Sequence, residues 1–160
     1  MDDDKQKYLQ MAQEMMMDYL HGRNLRVTPE RRAIVDSVFK MEGHFTVDDV
    51  RSSLNEQRFR VSLSTLYSNL DMLTDLGIVS RFYFGSSMTY EWRLGMEPHF
   101  HRVCKVCGQV QDLRNDRWMH LVEQTTIRGF KPDYYQLYLY GICSRCAAAL
   151  RRKNKKESKK

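Results

Sequence analysis

No stretch of the 160 residues approaches the ~20 consecutive apolar positions that a membrane-spanning helix needs, so no membrane partner is expected. The chain opens on Asp2, Asp3 and Asp4 without the apolar segment of a secretory leader, and a cytoplasmic protein is expected. Cysteine is scarce: there are four, and none is left over once they are paired by spacing. In a reducing compartment such thiols serve metals more often than disulfides. A spread-out positive charge is missing too. Residues 151–160 hold seven Lys or Arg and one Glu, so they account for the whole net charge of +6, and residues 1–150 sum to zero. A basic end of this kind is read as a solvated tail that could add salt-sensitive attraction to phosphates. Bulk charge therefore makes no case for nucleic acid; that case must come from pattern. There is also no phosphate loop and no nucleophile with an adjacent base, and an enzyme is not expected.

What is present is concentrated in one stretch, His99 to Asp112, with two imidazoles, two thiols and a carboxylate in fourteen positions. Cys104 and Cys107 form one Cys-x-x-Cys pair, and Cys143 and Cys146 form a second after 35 intervening residues. Two such pairs read as a closed, four-cysteine structural zinc site, because each turn offers two thiolates on one side of a tetrahedron. Disulfides, or one pair acting in redox chemistry, are the alternatives. His99 and His101 alternate along an expected strand and share a face, where they could chelate one cation. They could instead be polar residues that found ordinary partners. A catalytic metal with an open position on His99, His101 and Asp112 is a further alternative, unsupported by any other enzyme feature.

The rest of the chain falls into short elements. Residues 4–20 show helical spacing, with Met15–Met17 read as packing rather than as a soft-metal site. Thr28-Pro29 starts a second helix whose buried stripe is Ile34, Val35, Val38 and Phe39. Thr46 caps a third, with Val47, Val50 and Leu54 inward. A fourth starts at Ser62, where Leu63, Leu66, Tyr67, Leu70 and Leu73 repeat at helical spacing. Its other face carries Ser64, Thr65, Ser68, Asn69 and Asp71. Ile78–Phe84 and Met88–Leu94 read as a hairpin around Gly85-Ser86-Ser87. Three short helices and a hairpin make a winged helix-turn-helix, in which the last helix enters a major groove. A helical module that binds protein fits the same pattern. Arg23, Arg26, Arg31, Arg32, Arg58 and Arg60 are candidate phosphate or minor-groove contacts, or simply solvated arginines. Beyond Pro98, short strands at 100–103 and 110–113, a helix at 116–128 with Trp118, Leu121, Val122 and Thr125 inward, and a long strand at 134–142 make a small α/β unit suited to dimerisation, and the pattern at 147–153 continues a terminal helix that dissolves into the lysine tail.

Arg26-Val-Thr-Pro-Glu-Arg, His44-Phe-Thr-Val-Asp-Asp, Ser62-Leu-Ser-Thr-Leu-Tyr-Ser-Asn-Leu with Leu76-Gly-Ile-Val, His99-x-His-x-x-Cys-x-x-Cys-Gly and Tyr140-Gly-Ile-Cys-x-x-Cys stand in order along the chain. Together they resemble the ferric uptake regulator family of bacterial metal-dependent repressors, from about Leu25 to Cys146. The resemblance implies an α+β protein: a winged-helix DNA-binding domain at 1–93, a hinge at 94–98 and a dimerisation and metal-binding domain at 99–150, beyond which the charge run reads as a basic disordered tail at 151–160. It implies structural Zn(II) on Cys104, Cys107, Cys143 and Cys146. It implies a regulatory Fe(II), Mn(II) or Zn(II) on His44, Glu91, His99, His101 and Asp112. It also implies DNA contacts through Arg26, Arg31, Ser64, Thr65, Tyr67 and Ser68, with a homodimer on a palindromic double-stranded operator. Pro98, Phe100 and Tyr135 depart from positions where relatives carry further ligands, so an accessory third site is not expected. Ser68 stands where many iron regulators have arginine, so sequence preference is expected to differ. Asp112 resembles the peroxide-sensing branch and Glu91 the iron branch. The expected function is a repressor controlling iron and metal homeostasis. Peroxide sensing by Fe(II)-directed histidine oxidation is the alternative, and a zinc-stabilised protein-interaction module is the alternative from another class.

Overall fold

The computed structural model describes residues 2–84, 87–132 and 135–157, in two compact units, Met1–Met96 and Glu97–Lys160. The hairpin turn expected at Gly85 and Ser86 lies outside the described residues.

In the first unit, α1 spans Asp2–Gly22 and α2 spans Pro29–Lys40. Thr28 caps α2: its hydroxyl accepts the Arg31 amide, and Pro29 fills the first turn, where a missing N–H costs nothing. β1 (His44–Phe45) leads into α3 (Val47–Glu56). Here Thr46 and Asp49 form a reciprocal capping box, and the Thr46 amide donates to Asp49 Oδ2 at 2.7 Å. α4 (Leu63–Asp75) is capped by Ser62 and stops at Gly77, whose φ of +69° suits a residue without Cβ. β2 (Val79–Phe84) and β3 (Ser87–Trp92) form the wing, and β1 joins β3 in an antiparallel sheet of order β1-β3-β2.

The core of this unit follows from the helical stripes. Leu66, Leu70 and Leu73 of α4 are fully buried with Ile34, Val35 and Val38 of α2, and Ala12, Met16 and Leu20 of α1 close the same cluster. Removing each such Leu side chain from water is worth roughly 1.5–3 kcal/mol. Three positions differ from the sequence reading; one is Tyr67, which keeps the apolar spacing yet is 42% exposed. Leu63 is 45% exposed although it keeps the apolar spacing, because it sits in the first turn beyond the packed face. Asn69, expected on the polar face, is 1% exposed. The stripe Leu66, Leu70, Leu73 carries position 69 with it by the i, i+3 rule.

The second unit contains β4 (Phe100–Cys104), β5 (Val110–Leu113), α5 (Asp116–Glu123), β6 (Tyr138–Gly141) and α6 (Ser144–Glu157). The sheet order is β5-β4-β6, with β4 antiparallel to β5 and parallel to β6. Phe100 is fully buried, with ring centroids 5.9 Å from Trp118 and 6.3 Å from Tyr135, so this departure from the family pattern is a packing residue. α5 ends at Glu123, earlier than expected, and none of its residues is buried; Trp118 and Leu121 are exposed. The chain leaves the helix through Thr125 and Thr126, poor helix formers that precede a turn at Gly129. Of the long strand expected at 134–142, residue 134 lies outside the described residues, and strand forms only at Tyr138–Gly141, where each residue pairs with β4. The expected disordered tail is corrected for residues 151–157: α6 continues through them. Ala147, Ala148, Ala149, Leu150 and the following Arg and Lys are good helix formers, and no Gly or Pro interrupts them.

Candidate metal centre and DNA-reading helix

Four sulfurs meet in the second unit. The turn after β4 brings Cys104 and Cys107 together; Gly108, at φ +71°, donates its amide to Cys104 O and closes it. The start of α6 supplies Cys143 and Cys146. All four Sγ atoms lie within 4.8 Å of one another, and Cys107 Sγ to Cys143 Sγ is 3.9 Å. A tetrahedron with Zn–S bonds of about 2.3 Å has edges of about 3.8 Å. All four cysteines are free thiols in this structure. Backbone N–H groups of Cys143, Cys107 and Val106 aim at Cys104 and lower its pKa to about 6 by stabilising the thiolate. The Cys143 amide donates to that sulfur at 3.3 Å. Cys107 is lowered chiefly by the Gln109 amide. Cys146 is pushed up to about 12, first by its contact with Cys143, then by Cys107 and burial. Four sulfurs within 4.8 Å of one another, with backbone amides aimed at two of them, fit a divalent ion that would bear all four thiolates.

Two smaller constellations are built by strand pairing, one in each unit. In the first, the β1–β3 register sets His44 opposite Glu91, with Nε2 3.9 Å from Oε1. Both side chains are largely buried, and the imidazole edge rests on the Phe82 ring at 5.3 Å. In the second, the β4–β5 register sets His101 opposite Asp112, with Nδ1 3.7 Å from Oδ1. His101 is 4% exposed and stacks on Tyr138 at 5.2 Å, while Asp112 is half exposed. The His99 and His101 rings are 4.9 Å apart, as two residues on one strand face should be. His99 Nδ1 lies 3.0 Å from Glu97 O; with the proton there, Nε2 carries the lone pair a metal would take. These are nitrogen and carboxylate donors of the kind that suits Fe(II), Mn(II) or Zn(II).

The exposed face of α4 carries Ser64, Tyr67 and Ser68, with Thr65 half-buried beside them. Ser64 and Thr65 hydroxyls are tied to Ser62 Oγ at 2.9 and 2.8 Å, and Ser68 donates to Thr65 O. Arg26 is exposed. Arg31 behaves differently. Its guanidinium donates to Asn69 Oδ1 at 3.3 Å and lies 3.7 Å from Met72 Sδ, while Asn69 donates back to Thr65 O. Arg31 therefore braces α4 against α2. A second brace, Arg81 of the wing to Asp71 of α4, escaped the sequence reading altogether. Nothing in sequence spacing points to Arg81, whereas Asn69 could have been found from its place in the leucine stripe.

The model of the Ferric uptake regulator family matches residues 22–140, so this chain belongs to that family. Its members are metal-dependent transcription regulators that bind DNA as dimers rather than enzymes. The chain is 28% identical over 133 residues to the peroxide operon regulator of Bacillus subtilis, covering 82% of this chain and 90% of that one. Its fold is similar to that of the ferric uptake regulator of Pseudomonas aeruginosa with manganese, at a TM-score of 0.67 and 27% identity over 79% of this chain and 96% of that one. It is likewise similar to the Francisella tularensis ferric uptake regulator with iron, at 0.61 and 28% over 77% and 95%. The match ends before Cys143 and begins after most of α1, so the second cysteine pair and α6 lie beyond it.

Proposed function

We propose that this chain is a metal-dependent repressor that binds a palindromic operator as a homodimer in the cytoplasm and controls metal-homeostasis genes, iron first. The observation that supports this most is the pairing of His44 with Glu91 and of His101 with Asp112, each by strand register and each beside an aromatic ring. In this reading Cys104, Cys107, Cys143 and Cys146 hold Zn(II) and fix the dimerisation unit. His44, Glu91, His99, His101 and Asp112 hold one regulatory Fe(II), Mn(II) or Zn(II), which when bound supplies a cross-link that sets the angle at the hinge near 94–98. Ser64, Thr65, Tyr67 and Ser68 then meet bases or phosphates of successive major grooves, and Arg26 reaches an adjacent minor groove. Arg31 contributes by holding α4 in place. Two states of the hinge couple the sites, so metal and DNA strengthen each other's binding by one shared factor.

The test is a gel-shift titration on an operator-like palindrome with and without Mn(II) or Fe(II), run beside His99→Ala. Wild type should shift only with metal. The variant should lose that response while keeping its dimer and its zinc. Absence of a metal-dependent shift on any palindrome would sink the repressor reading, and loss of the dimer in His99→Ala would contradict two separate sites. Peroxide sensing is the second reading, favoured by the name of the Bacillus subtilis relative and by Asp112. Peroxide treatment of the iron-loaded protein, followed by mass spectrometry, decides between them. A gain of one oxygen atom on His44 or His99 supports peroxide sensing, and unmodified histidines support iron.

A further inference from the structure

α6 begins at the cysteine cluster and ends as a basic arm. Its first turn is tied down by the buried Cys146, and Ala147 is half-buried. From Ala148 to Lys155 every residue is exposed. In that stretch stand Arg151, Arg152, Lys153 and Lys155, and the helix has no acidic residue before Glu157. Exposed surface alone would favour fraying here: a helix of this length is marginal in water, and like charges four apart repel. Its base, fixed by a sulfur ligand, supplies the nucleus that the arm lacks. Lys and Arg in the last turn complement the helix dipole, but that effect is confined to one turn and does not need four cations. At 1.5 Å per residue Arg151 and Lys155 are about 6 Å apart along the axis, comparable with two successive phosphates of a strand. Residues 151–160 carry the whole net charge of +6, and the part of them within α6 carries five Lys or Arg against Glu157, a local excess of the sign that draws a polyanion.

We propose that the distal half of α6 is a second DNA-binding element, one that grips the phosphate backbone outside the operator-reading helices without reading sequence. The proposal rests on the DNA-binding reading above. It lies outside the residues that the family match covers. Each phosphate neutralised releases counterions and steepens the dependence of affinity on salt by about 0.9 in log–log slope.

The experiment is fluorescence anisotropy of zinc-loaded protein on two duplexes, one palindromic and one of scrambled sequence, over a salt series. Wild type is compared with the combined Arg151→Gln, Arg152→Gln, Lys153→Gln, Lys155→Gln variant and with the charge-conserving Arg151→Lys, Arg152→Lys variant. The glutamine variant should lower the slope by about 2 or more on both duplexes alike, by the counterion rule. The lysine variant should keep it, while the Mn(II) response on the palindrome survives in both. An unchanged slope in the glutamine variant overturns the proposal, as does a fall that the lysine variant shares, since that would reflect lost structure. Failure of the parent reading looks different: wild type would then show no Mn(II)-dependent preference for the palindrome, whatever the slopes.

Discussion

In the first unit nineteen of the described residues form one buried apolar cluster, drawn from all four helices and from each strand of its sheet. In the second, the buried apolar residues among those described are Phe100, Val103, Cys104 and Cys146, while Leu121, Ile127, Phe130, Tyr140 and Ile142 are exposed. The first has the dry interior that lets a small domain stand by itself. The second does not, and four converging sulfurs take the place of a core. The difference also separates tasks. The helix proposed to read bases must be held rigidly, and the leucine stripe of α4 and its two braces hold it. In the proposed function, a unit with few buried apolar residues, four converging sulfurs and an exposed apolar face suits a dimerisation role.

The contrast can be broken in steps of decreasing size. Cys143→Ser should abolish stoichiometric zinc and unfold the second unit, because structural zinc is worth on the order of 10 kcal/mol of apparent folding energy. Circular dichroism and metal analysis should show that loss while the cooperative transition of the first unit persists. A single transition in which both units melt together would erase the distinction drawn here. Leu70→Ala should cost the first unit about 2–5 kcal/mol in denaturant unfolding, and leave zinc content untouched. Asn69→Ala should cost about 1–3 kcal/mol by leaving the Arg31 guanidinium without its buried acceptor. It should also weaken DNA binding more than Arg31→Ala does if Asn69 orders the α4 backbone at Thr65. Thr46→Ala, which removes one half of a capping box, should cost about 1 kcal/mol and leave metal responses intact.

The parts of the fold with local causes were legible before the structure. Thr28-Pro29, Thr46-Val-Asp-Asp and Ser62 announced three helix starts, and the stripe of α4 announced a buried face. The cysteine pairs announced their own convergence, since ligand type and spacing carry the chemistry. The pairings of His44 with Glu91 and of His101 with Asp112 were reachable only through family resemblance, because strand register between distant segments leaves no local mark. Asn69 was misplaced because polarity was read before periodicity. α5 was drawn too long, and its exposed Leu121 taken as core, because one amphipathic stripe looks the same whether it faces its own domain or a partner. α6 was cut short because charge was read as disorder, although the alanines before it and the absence of Gly and Pro favour helix.

The most direct measurement of the central claim is the affinity of zinc-loaded protein for a palindromic duplex as a function of Mn(II), repeated as the affinity for Mn(II) with and without that duplex. The account predicts that saturating Mn(II) tightens DNA binding by a factor within the 5- to 150-fold range usual for allosteric coupling, and that DNA tightens Mn(II) binding by the same factor. An affinity for DNA that is indifferent to Mn(II) would contradict it.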